Sequence, residues 1–93
     1  MGIRLINNAY AAGSFCRLPT EDGAASVHVL EGTWYEAQAK DAEGNDYTVY
    51  WSILPGWDSN DCDESCACDW DHPIAIIQRA PWRDVTAMVK IMW

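Results

Sequence analysis

The sequence has no apolar run approaching the roughly 20 residues of a membrane-spanning helix, and Met1–Phe15 lacks the continuous apolar stretch of a secretory signal. Ile6 stands where a myristoylation signal would carry Ser or Thr, so the chain reads as soluble, unlipidated and cytoplasmic. Basic residues are scarce: Arg4, Arg17, Lys40, Arg79, Arg83 and Lys90 are all there are, against fourteen Asp and Glu, for a net charge of −8. A protein that grips phosphates needs a clustered basic footprint, so direct nucleic-acid binding is disfavoured, and anionic membrane surfaces with it. Only two histidines are present, His28 and His72, and neither a Gly-rich phosphate loop nor a nucleophile elbow occurs. The carboxylates offer many arbitrary pairs, so a pair by itself does not indicate acid and base work. These absences argue against an enzyme.

What remains is the material of one small domain. Ninety-three residues, 49% of them hydrophobic and 22% charged, suit a single core spanning 1–93, with no internal repeat or low-complexity tract. Val27–Leu30 is a short β-branched run that Glu31-Gly32 ends as a turn. Thr33–Lys40 alternates, with Trp34, Glu36, Gln38 and Lys40 on one side and Tyr35, Ala37 and Ala39 on the other, the pattern of a half-exposed strand. Gly44 and Asn45 tolerate positive φ, which places a turn at Asp41–Asp46 before Tyr47–Leu54, the segment richest in β-formers. Val27–Leu54 is therefore predicted to be the middle of an antiparallel sheet.

The flanks are less regular. Ile3–Ile6 and Ser14–Leu18 read as further strands, and Thr20–Ala25 as an acidic connection. Pro55-Gly56 closes the central hairpin, and Pro73 precedes a buried strand over Ile74–Gln78. Ala80-Pro81 breaks the chain. Val85 to Trp93 then alternates as a last strand, with an amphipathic helix as the rival reading. The expected fold is mainly β: a small antiparallel sheet or partly open barrel of five or six strands, with at most one short helix and a long acidic loop.

That loop, Trp57–His72, departs most from ordinary composition. Asp58, Asp61, Asp63, Glu64, Asp69 and Asp71 lie in it, with no Lys or Arg. Acids packed this densely repel one another unless solvent, a metal ion or a basic partner screens them. Trp57 and Trp70 bracket the acids, and Trp is a frequent binding anchor, although both indoles are equally able to fold back and cap the sheet. These eight residues are the candidate partner-binding set. Cys62, Cys66, Cys68 and His72 offer zinc chemistry, but Cys66 and Cys68 are only two apart, closer than the usual paired ligands. No cofactor is the first expectation and zinc the alternative. A Cys62–Cys66 bridge is also open, although thiols stay free in a reducing compartment. An EF-hand register fails: beginning at Asp61, it puts Cys66 where Gly belongs and His72 where the bidentate Glu belongs.

In size, charge and lack of enzyme motifs, the chain resembles the small acidic inhibitors encoded by bacteriophages and mobile elements, anti-CRISPR proteins among them. That resemblance implies a protein occupying the nucleic-acid-binding surface of a defence complex, and it carries over no residue. The residues suit such a role: in an extended stretch Asp61 and Asp63 would lie about 7 Å apart, comparable with successive phosphates. The expected partner is a basic, nucleic-acid-binding protein surface, with a zinc-stabilised structural or regulatory module as the second reading and strand addition at a sheet edge as a third.

Overall fold

The computed structural model of the protein describes residues 2–20, 23–58, 60 and 62–93, with the side chains of residues 20 and 23–28 outside the described part. Among the described residues seven strands form: β1 (Gly2–Leu5), β2 (Tyr10–Thr20), β3 (Gly23–Lys40), β4 (Asp46–Ser52), β5 (Ala75–Arg79), β6 (Trp82–Asp84) and the two-residue β7 (Lys90–Ile91). They hydrogen-bond in the order β6-β5-β4-β3-β1-β7, with β2 also paired to β3. All pairings are antiparallel except β1 with β7, where Gly2 faces Lys90 and Ile3 faces Ile91. The sheet curls into a partly open barrel, as its β-rich composition predicts. Beyond the strands the described residues hold one 3₁₀ turn, Glu64–Cys66, and no helix long and apolar enough to cross a membrane.

The central hairpin forms where alternation and turn chemistry agree. Asp41 organises its turn: Oδ1 accepts from the backbone N–H groups of Glu43 (2.9 Å) and Asn45 (3.0 Å), and Oδ2 from Asn45 Nδ2 (2.9 Å) and the Tyr47 hydroxyl (2.8 Å). Gly44, at φ +88°, takes the left-handed position. In β4, Tyr47, Val49 and Trp51 enter one core, while Thr48 and Tyr50 are buried on the opposite side. A strand buried on both faces needs a sheet covered on both sides, and two different devices provide the covers.

The first cover is a bend. Val27–Leu30 and Thr33–Lys40 are not separate strands split by a turn; both belong to β3. Gly32 (φ +83°) sits directly opposite Ser14 (φ 111°) in β2, and these paired left-handed residues bend the two-stranded ribbon without ending it. Beyond the bend Leu18 and Leu30 pack onto Trp34, Tyr50, Ala75 and Ile77, and β2 comes alongside β6. Trp34, expected on a half-exposed face, is buried beneath the ribbon for this reason.

The second cover is the long loop. Tyr35, Ala37, Val49, Trp51 and Ile76 on the other face meet Ile3, Val85 and Val89, with Ala67 and Cys68 of the loop. An isolated bridge between Ile53 and Cys68, and the Leu54 N–H donated to the Ala67 carbonyl (2.7 Å), fasten loop to sheet.

The end of the chain differs from both readings of Val85–Trp93. The Thr86 N–H donates to Asp84 Oδ1 (2.8 Å), and Thr86 Oγ1 accepts from the Ile76 N–H (2.9 Å), so a side chain takes over the pairing that a continuous strand would make. Met88 and Val89 then turn back on the Val85 carbonyl, and only Lys90–Ile91 is extended and paired. Ala80-Pro81, a cis peptide, reverses the chain into β6.

A candidate acidic and aromatic surface

The segment from Trp57 to His72 is held by its own backbone turns and two indoles. Asp58 Oδ1 accepts from the Asn60 N–H (2.9 Å), and the Asp58 carbonyl from the Cys62 N–H (3.1 Å). Asp63 caps the 3₁₀ turn by accepting from the Ser65 N–H (3.0 Å) and hydroxyl, and these bonds hold its carboxyl below the usual range. Cys62 and Cys66 are joined by a disulfide, with Cα atoms 6.1 Å apart, that encloses Asp63, Glu64 and Ser65.

Both tryptophans dock on this small ring. Trp57 Nε1 donates to the Asp63 carbonyl (3.2 Å) and Trp70 Nε1 to the Ser65 carbonyl (3.0 Å). Their rings meet Tyr35 edge-on, at centroid distances of 6.4 and 5.6 Å, and Trp70 also lies 5.1 Å from the buried Trp51. Trp51 Nε1 in turn donates to the Trp70 carbonyl (3.0 Å). The indoles therefore fold back and cap the sheet, each half-buried, with their N–H groups satisfied.

The carboxylates face the other way. Asp58, Asp63, Glu64, Asp69 and Asp71 are all exposed; Asp61 lies outside the described residues. No Lys or Arg ion pair reaches these five, and Asp69 is met instead by His72 Nδ1 at 3.0 Å. Glu64 is felt beneath the surface: after burial itself, its charge is the next cause raising the Tyr35 phenol.

The four candidate metal ligands do not converge. The Cys62 and Cys66 sulfurs and the Asp63 carboxylate lie within 4.8 Å of one another, but the two sulfurs are bonded to each other, and a metal requires them as separate thiolates. Cys68 is buried in the core, where desolvation raises its thiol pKa, and His72 is on the surface against Asp69. The disulfide form thus presents no four-donor set from Cys62, Cys66, Cys68 and His72.

Two further features escaped sequence reasoning. On the inner face, Gln38 links the Tyr10 hydroxyl (3.2 Å) to that of Thr48 (3.1 Å), and burial raises both Glu36 and Tyr50. Trp34 Nε1, buried on the same face, has no hydrogen-bond partner among the described residues. The second is a cleft between the loop, the connector after β1 and Trp93, which unites residues far apart in sequence. Glu64, Trp70 and Asp71 of its lining belong to the candidate binding set, whereas Trp93 carries the alternation of the last strand; their grouping has no local sequence signature.

Compared with protein-family models, curated proteins and solved structures, the chain matches none.

Proposed function

We propose that the protein is a non-enzymatic acidic binding protein that blocks a basic, nucleic-acid-binding surface of a partner, in the manner of the phage-encoded inhibitors it resembles. The observation that carries this reading is the opposed orientation of the loop: its indoles are tied inward while its five described carboxylates all face solvent, none of them paired with a described Lys or Arg. A surface fixed in this way loses little freedom on docking, and its field accelerates encounter with a positive partner. Asp58, Asp63, Glu64, Asp69 and Asp71 are the contact groups, and Trp57 and Trp70 support them. The setting is the cytoplasm, where thiols are kept reduced; the indole anchors would then hold the turn without the disulfide.

The test neutralises charge and preserves shape. Asp58→Asn, Glu64→Gln, Asp69→Asn and Asp71→Asn each retain an acceptor oxygen, and Asp63 is spared because it caps the turn. The parent protein should retain basic nucleic-acid-binding proteins from a bacterial lysate at low salt and release them to added duplex DNA. The fourfold variant should retain none, while its melting temperature holds or rises as self-repulsion in the loop is relieved. Retention by the variant with the same salt dependence would reject the reading and favour strand addition at a sheet edge.

A further inference from the structure

A cleft of about 910 Å³ opens beside the loop, and its lining combines two chemistries. Leu5, Ile6, Trp70 and Trp93 supply apolar and aromatic surface, Glu64 and Asp71 supply carboxylates, and no Lys or Arg is among the described residues lining it. Trp70 and Trp93 flank the buried Trp51, their ring centroids 5.1 and 6.4 Å from its own. The Trp70 ring is fixed by its bond to the Ser65 carbonyl. Trp93 is 65% exposed and leaves much of a large apolar ring in water at the edge of the cleft.

A purely apolar occupant would desolvate Glu64 and Asp71 without a counter-charge, and a compact hydrated cation would leave the indoles unused. A guanidinium satisfies both: it is planar, weakly hydrated, stacks on indole faces and donates hydrogen bonds to carboxylates in a fixed fork. We propose that this cleft is the anchor pocket for one arginine side chain of the partner, with Trp70 and Trp93 as the aromatic walls and Glu64 and Asp71 as the acceptors. The identity of the partner rests on the proposed function above; the chemistry of the pocket does not. Arginine also fits the partner class, since it is a common residue on phosphate-binding surfaces.

The experiment uses the whole protein and a minimal probe, N-acetyl-arginine amide, followed through the tryptophan indole N–H resonances. Saturable shifts of Trp70 and Trp93 are expected, and none with N-acetyl-citrulline amide, which keeps the shape and lacks the charge. Trp93→Ala and Asp71→Asn should each weaken binding at least fivefold at an unchanged melting temperature. Trp82→Ala, which removes a 55% exposed indole outside the cleft, should leave it unaltered. The probe carries no partner surface, so arginine binding with no protein retained from a lysate would overturn the proposed function alone, and retention without arginine binding would overturn the pocket alone. Equal binding of citrulline, equal binding of N-acetyl-lysine amide, arginine binding that survives Trp93→Ala, or no saturable shift would each overturn the proposal.

Discussion

Asp41 accepts four hydrogen bonds from three residues, a concentration that no other carboxylate among the described residues matches. The Asn45 side chain is the largest cause of its lowered pKa, about 2 against an ordinary 3.8. Folding therefore favours the ionised form, and the contribution is fully present above about pH 4. It is lost as pH falls through about 2. Asp41→Asn should accordingly flatten the acid limb of a stability-against-pH curve between about pH 4 and 2, read from denaturant midpoints, and an unchanged limb would assign acid unfolding to other groups. The turn itself was legible, because Gly44-Asn45 has one local meaning. The fates of Trp57 and Trp70 were not: a bracketing indole has the same sequence signature whether its N–H finds a partner in solvent or a carbonyl six residues away.

At the scale of elements, the same ambiguity separates a turn from a bend. Glu31-Gly32 interrupts alternation and suits positive φ, which is all that local sequence can register; that β3 continues depends on Ser14, eighteen positions away and directly opposite. The two glycines at this bend are expected to behave differently. At Gly32 a side chain would meet no atom within 4 Å, so Gly32→Ala should cost only the left-handed conformation, about 1–2 kcal/mol. At Gly13 an added Cβ would come 2.5 Å from the backbone oxygen of Gly32, which no rotamer change relieves, so Gly13→Ala should cost more. Urea denaturation of the two variants checks the order. The last element was misread for a related reason: Val85–Trp93 alternates as a strand does, but the Thr86 hydroxyl binds the Ile76 N–H and removes the segment from the ladder.

For the whole molecule, a net charge of −8 with few ion pairs among the described residues means that self-repulsion acts on the compact state. Raising ionic strength from about 0.01 to 0.15 M shortens the screening length from about 30 to 8 Å, so the melting temperature at neutral pH should rise. The fourfold amide variant should show a smaller rise, and an equal rise in both proteins would remove the loop as the source of repulsion. The acidic surface was legible because it is a property of composition in one contiguous segment. The cleft was not, because it exists only when Leu5 and Ile6, Trp70 and Trp93 have been brought together by the sheet.

The parallel pairing of β1 with β7 also sets the order in which the molecule can be completed. Hairpins β3–β4 and β5–β6 join neighbours in the chain and can close while synthesis continues, at the roughly 5–20 residues per second of a ribosome. Ile3 precedes Val89 by 86 residues, yet both sit in the core formed around Trp51. Until Val89 has left the exit tunnel, the nascent chain carries a curled sheet with one apolar face incompletely covered, an interval in which a chaperone finds its substrate.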